Sequence, residues 1–149
     1  MTGILVKLIA ERDGVTGLGD CYRIRQDVFC VEQRISAEIE WDGLDQDCDH
    51  LLALLEGRPV GTARVRVYSP GVGKIERVAV LASARRRGVG AALTKSAIDR
   101  LRTLGMKRAI LNAQTAVQNF YLALGFRPEG GEFDEAGIPH IRMALDLAP

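Results

Sequence analysis

The chain predicts a mixed α/β fold, in which a central sheet of parallel and antiparallel strands is flanked by helices. Two observations carry this expectation. Residues 50–68 form two apolar, alternating runs about a Gly57-Arg58-Pro59 turn, as a hairpin does. From Lys74 the order is strand, helix, strand within about forty residues, which requires a right-handed crossover between parallel strands.

Taken in order, Val6 to Glu11 reads as a first strand. Thr16 to Val31 reads as a helix, because Leu18, Cys21, Tyr22, Val28 and Phe29 recur at helical intervals. Glu38 to Asp49 is irregular and acidic. His50 to Glu56 and Val60 to Tyr68 are the hairpin strands, with Ala63, Val65 and Val67 alternating against Arg64 and Arg66. After the Pro70-Gly71 turn, Lys74 to Leu81 is a third strand. The period then changes: Val89, Leu93, Ala97 and Leu101 are spaced by four, with Gly105 placed to end the helix. Ala109 to Ala113 is the next strand. Thr115-Ala116-Val117-Gln118 has the form of a capping box, and Val117, Phe120, Tyr121 and Leu124 would then line one helical face before Gly125. His140 to Asp146 is the last strand.

Composition bounds the function classes. The 149 residues, 1–149, fit one domain, and 47% apolar with 26% charged residues is the balance of a globular core. Twenty basic against nineteen acidic residues leave a net charge of +1, so no overall charge draws the chain to nucleic acid or membrane. Arg85-Arg86-Arg87 is a local exception, but 5% aromatics argues against a stacking surface for bases. Cys21, Cys30 and Cys48 are odd in number and lack C-x-x-C spacing, against both a disulfide framework and a zinc site. Reduced thiols and no apolar leader point to the cytoplasm. Asp45, Asp47, Asp49 and Glu56 match four positions of a calcium loop, but His50 stands where its glycine must be; no metal is expected.

The informative segment runs from Ile75 to Leu93. It places a glycine-containing loop after a strand and at the start of a helix, where free backbone N–H groups and the positive helix end can bind a pyrophosphate. A Walker loop fails because Ala91 and Ala92 follow Gly90 in place of Lys and Ser/Thr. The dinucleotide fingerprint fails because its third glycine is Leu93 and its acidic residue is Asn112.

Arg85-x-x-Gly88-x-Gly90 resembles the coenzyme A loop of the Gcn5-related N-acetyltransferases. Asn112-Ala113-Gln114-Thr115, Phe120-Tyr121 and Gly125-Phe126 resemble the second half of that family's acetyl-CoA site. Three blocks narrow the likeness to the bacterial ElaA/YjcF-like branch: Arg25-x-x-Val28-Phe29-x-x-Glu32-Gln33, Leu111-Asn112-Ala113-Gln114, and Glu132-Phe133-x-x-Ala136-Gly137-Ile138-Pro139-His140. The resemblance implies acetyl transfer from acetyl-CoA, as co-substrate, to a primary amine on a small molecule or peptide. It further implies a sheet splayed into a V between its two parallel strands. The cofactor residues it implies are Val78, Ala79, Val80, Arg85, Arg86, Arg87, Gly88, Val89, Gly90, Ala91 and Asn112. Many members carry an asparagine where this chain has Gln114 and Thr115.

Transfer to an amine requires a proton for the departing thiolate and a base for the amine. Tyr121, a phenol protonated at neutral pH, is the candidate acid. Glu76, expected by period two to share a face with Val78 and Val80, is either a base or half of a strand-face salt bridge, and His140 is the second candidate base or a structural histidine. Glu32 and Gln33, after the first long helix, would either orient substrate or simply end the helix. The acidic run from Glu38 to Asp49 would either attract a cationic amine or be a solvated loop. Two rival readings remain: a catalytically silent acetyl-CoA sensor, and acyl-homoserine lactone chemistry on the same scaffold. The acceptor is unspecified, and a homodimer is left open.

Overall fold

The computed structural model describes residues 3–9 and 14–147. Seven strands form one sheet in the order β1-β2-β3-β4-β5-β7-β6. They are β1 (Ile4–Ile9), β2 (Asp49–Leu55), β3 (Arg58–Ser69), β4 (Val72–Val80), β5 (Arg108–Gln114), β6 (Arg127–Glu135) and β7 (Ile138–Asp146). Four α-helices accompany them: α1 (Gly14–Arg25), α2 (Ala37–Glu40), α3 (Val89–Thr103) and α4 (Gln118–Ala123). The mixed α/β expectation holds, since β4 and β5 are parallel, joined by α3, and every other neighbouring pair is antiparallel. No helix among the described residues is long and apolar enough to cross a membrane.

The first strand begins two residues earlier than the periodicity suggests, and Ala10 and Glu11 lie outside the described residues. The first helix continues past Arg25 as a π-helical turn, Gln26–Glu32, the kind of irregularity that concentrates at functional sites. The capping box does not form: Thr115–Val117 is a 3₁₀ turn with no side-chain cap, and the Thr115 hydroxyl donates to the Pro139 carbonyl instead, at 3.4 Å. Gly105, at φ 80°, ends α3 as expected, with the Met106 amide reaching back to the Leu101 carbonyl at 3.0 Å. Strand β6 has no counterpart in the sequence reading. All nine of its residues are exposed, so an edge strand with neither face buried leaves no alternation to detect.

Each face of the sheet carries its own core. α3 seats Val89, Leu93, Ala97 and Leu101 against Val65, Ile75, Ala109 and Leu111. It lies close because Gly61 and Gly73 have no side chain: a Cβ on Gly73 would fall 2.3 Å from Leu101 Cδ2, and one on Gly61 2.9 Å from Leu93 Cδ1. The opposite face holds Cys21, Ile24, Val28 and Phe29 against Leu52 and Ala79.

One irregularity decides the site. The β3–β4 register runs Thr62↔Ala79 and then Arg64↔Glu76, leaving Arg77 and Val78 together opposite Ala63, with Arg77 at φ 56°. This is a β-bulge, and it interrupts the two-residue alternation. Glu76 therefore shares a face with Ala79, toward α1, whereas Val78 and Val80 pack against the α3-side core. The expectation that Glu76, Val78 and Val80 share a face is corrected accordingly.

Candidate active site

Parallel pairing between β4 and β5 covers only Val72↔Arg108, Gly73↔Ala109 and Lys74↔Ile110. Beyond Lys74 the strands part, and the gap opens a cleft of about 850 Å³. Every candidate site residue drawn from the sequence lines this cleft except Arg87, which faces a separate depression beside Glu56, Arg58 and Ser83.

On the α3 side, the loop into the helix takes left-handed conformations at Arg86 (φ 63°) and Gly88 (φ 85°). The first helical bond is Ala92 N–H to the Gly88 carbonyl, 3.0 Å, so the amides of Val89, Gly90 and Ala91 are among the unpaired donors at the helix start. A Cβ on Gly90 would sit 3.4 Å from Phe120 Cζ, so bare backbone faces that ring. Tyr121 follows, buried, edge-on to Phe120 at 4.9 Å and to Phe126 at 6.0 Å between ring centroids. Burial pushes its phenol up to about 12, so it stays protonated throughout the neutral range.

Two side-chain bridges tie the end of the π-helical turn to the far ends of the parting strands. Glu32 holds Arg85 through two bonds of 2.6 Å, while Arg85 Nε donates to the Val80 carbonyl at 3.0 Å. Gln114 Nε2 donates to Gln33 Oε1 at 3.0 Å. Glu32 and Arg85 thus pair with each other, although one was assigned to the acceptor and the other to the cofactor. Asn112 accepts from Arg142 Nε at 3.4 Å and donates to Glu135 at 3.3 Å.

Within the acidic run from Glu38 to Asp49, Glu40, Asp42 and Asp45 are ion-paired and form no free cation trap, whereas Glu38 and Asp47 are exposed. Arg25, wholly buried, pairs with Glu40 and Asp45 at 2.7 Å each and lies over the Trp41 ring at 4.6 Å. Arg64, also wholly buried, pairs with Asp42 (2.8 Å), Asp45 (3.0 Å) and Glu76 (2.7 Å). Arg66 takes the second oxygen of Glu76, and Arg77 reaches Glu40 at 3.1 Å. Burial would raise the Glu76 carboxyl, but the Arg64 charge and the bonds from Arg66 and Arg64 outweigh it and hold it below its usual value. The network was missed by sequence reasoning. Its signal was an acidic run with no basic residue of its own, ahead of a strand whose alternate positions Arg64 and Arg66 are basic.

His140 is buried and lies near-parallel to Phe133 at 6.0 Å. Its Nδ1 is 2.7 Å from the Ile138 carbonyl, which can only accept, so Nδ1 carries the hydrogen. In the neutral ring Nε2 is then the unprotonated nitrogen, 3.5 Å from Glu135 Oε2.

Comparison with known proteins agrees with this geometry. Residues 23–147 match the family model described as an acetyltransferase (GNAT) domain. The chain is similar to the uncharacterised N-acetyltransferase YjcF of Bacillus subtilis, 39% identical over 130 residues, which cover 87% of this chain and 92% of the relative. Among solved structures it is similar to ElaA of Escherichia coli, with TM-score 0.83 and 29% identity over 96% of this chain and 99% of that one. It is equally similar to an acyl-CoA N-acyltransferase of Pseudomonas aeruginosa, with TM-score 0.83 and 29% identity over 95% of this chain and 99% of that one.

Proposed function

The chain belongs to the GNAT acetyltransferase family, and from that premise we propose that it moves an acetyl group from acetyl-CoA directly to a primary amine on a small molecule or peptide. The observation that carries the reading is the break in β4–β5 pairing next to the open amides of α3. Past Lys74 the backbone of Val78, Ala79 and Val80 has lost its β5 partner, and apart from the Val80 carbonyl, which Arg85 Nε holds, an extended amide chain such as pantetheine can bond there in its place. The pyrophosphate then falls on the amides of Gly88 to Ala91, where fixed N–H dipoles and the helix end favour negative charge. Arg86 adds charge to this cradle. Arg85 joins it by exchanging Glu32 for a phosphate, and Arg87 takes no part.

Tyr121 is the acid for the leaving thiolate. A phenol near 12 gives its proton uphill to an ordinary thiolate, but the burial that raises Tyr121 raises a thiol in the same cleft as well, which narrows the gap. His140 Nε2 is the better proton acceptor of the two base candidates, because both Glu76 oxygens are engaged by arginines and its carboxyl is held ionised. Glu76 and the neighbouring carboxylates instead keep the α1-side mouth from being uniformly positive. Asn112 orients the far wall of the cleft.

The test is release of free CoA thiol from acetyl-CoA across a panel of amines, on the parent and on Tyr121→Phe. The variant keeps the ring and its packing, so melting temperature and acetyl-CoA affinity should persist while kcat falls about 10²- to 10⁴-fold. Full kcat in a well-folded Tyr121→Phe would remove the assigned acid. Tight acetyl-CoA binding with no thiol release for any amine would make the protein a sensor instead.

A further inference from the structure

The α1-side mouth of the cleft carries more positive charge than its carboxylates balance. Arg25, Arg64, Arg66 and Arg77 are matched by Glu40, Asp42, Asp45 and Glu76 in the network described above. Two further cations have no carboxylate partner among the described residues. One is Lys74, at the point where β4 and β5 part, which lines the cleft together with Arg66. The other is Arg142 on β7, which stands beside the cleft lining and donates to its residue Asn112 at 3.4 Å; Glu129, directly across from it on β6, is taken by Arg108. Both converge with Arg66 on the exposed ring of Tyr68, whose centroid lies 5.4 Å from Lys74 Nζ, 5.4 Å from the Arg66 guanidinium carbon and 5.5 Å from that of Arg142. Three like charges around one ring repel one another; Glu76 feels the charge of Lys74, but neither Lys74 nor Arg142 forms an ion pair with a carboxylate among the described residues. The field is felt by Tyr68 itself: the hydrogen bond from Arg142, then the charges of Arg142 and Lys74, hold its hydroxyl below the usual value.

Resting on the acetyl-transfer reading, we infer that Lys74 and Arg142, gathered with Arg66 about Tyr68, form an anion subsite for the acceptor, which is therefore a small amine bearing a carboxylate or a phosphate. Arg142 offers a planar fork and Lys74 a point charge, a combination that suits either anion. The spacing narrows the class further. Lys74 precedes Val78 by four residues, but the bulge leaves only three residues of β3, Arg66 to Ala63, along that stretch, about 10 Å, of which the lysine side chain closes part. An acceptor whose acid and amine are separated by several bonds reaches both ends of the site most readily.

Matched ligand pairs test this without relying on turnover. Calorimetric binding to the CoA-saturated protein is measured for 6-aminohexanoate against its amide, and for glucosamine 6-phosphate against glucosamine. At least one acid should bind about tenfold or more tightly than its neutral partner, with the advantage shrinking as salt rises. Whichever pair shows it identifies carboxylate or phosphate. Lys74→Gln and Arg142→Gln should each erase most of that advantage, and Lys74→Arg should keep it. Equal binding of acid and neutral partner, an advantage that survives both glutamine variants, or no binding of any of the four would overturn the subsite. Acetyl-CoA affinity and thiol release, measured on the same samples, report separately on the transfer reading.

Discussion

At the scale of single residues, Glu76 is the position where the two kinds of reading diverge most. By alternation it is either a base beside the acetyl group or half of a strand-face salt bridge; in the fold it is a buried carboxylate shared by Arg64 and Arg66, on the face away from Val78 and Val80. Removing one partner of a buried ion pair costs more than the pair contributes, because the remaining charge is left poorly compensated. Glu76→Gln should therefore lose about 3 kcal/mol of stability, measured by urea titration, while kcat per folded molecule stays close to the parent. A stable Glu76→Gln with a large loss of kcat would return Glu76 to the base role and displace His140. Arg25 and Arg64 teach the same lesson. An arginine in a helix or strand reads as an exposed face from sequence, yet both are fully buried, because the acidic partners come from a loop 15 to 22 residues away.

At the scale of elements, α3 carries the pyrophosphate reading at one end and a purely structural stop at the other, and glycine serves both. Gly88 and Gly105 hold φ at 85° and 80°, a region that costs a β-branched residue roughly 1–2 kcal/mol. Neither site is tight: an added Cβ at Gly88 would approach only Ile4 Cδ1 at 3.8 Å, and at Gly105 nothing within 4 Å. Gly88→Val is thus expected to act by straining the loop rather than by filling the cleft. The melting-temperature rise produced by acetyl-CoA should shrink strongly in Gly88→Val, whereas Gly105→Val, with the same strain at the far end, should lower the baseline melting temperature and keep the rise. Equal rises in both variants would place the pyrophosphate elsewhere.

For the whole molecule, the arginine–carboxylate network joins α1, the loop before β2, β3 and β4 into one unit, and its acidity is measurable. The Arg64 hydrogen bonds hold the Asp42 carboxyl far below its ordinary value. Burial would raise Asp45, but the bonds from Arg25 and Arg64 hold it low, and Glu76 is lowered in the same way. A carboxyl whose folded value is depressed stabilises the fold fully above its unfolded value, near pH 4 to 5, and loses that contribution as pH falls through the folded value. Melting temperature should therefore be level from about pH 6 to pH 5 with respect to these groups and fall steeply below about pH 4. Glu76→Gln, lacking one of the three, should show a shallower acid limb; an unchanged limb would mean that the network does not set acid stability.

Much of the scaffold was legible because it rests on local periodicity. The hairpin at β2–β3, the four-residue spacing of α3 and the strand–helix–strand crossover all leave their mark within a few turns of chain, and the glycine-bearing loop between β4 and α3 carries the residue types on which the pyrophosphate proposal rests. What the sequence left open depends on contacts between distant segments. The bulge at Arg77 turns Glu76 away from Val78 and Val80, and no residue type near it signals that turn. Exposed β6 is a strand only because β7 offers it a hydrogen-bonding edge. Glu40, Asp42 and Asp45 of the acidic run joined a buried network, and Lys74 and Arg142 gathered about Tyr68, only once β3, β4, β5 and β7 stood side by side. Local pattern determines which elements form and roughly where they bind, because helix and strand periods are short-range. Which charges are cancelled and which face the cleft is decided by the tertiary structure, because electrostatic pairing depends on distance in space and not along the chain.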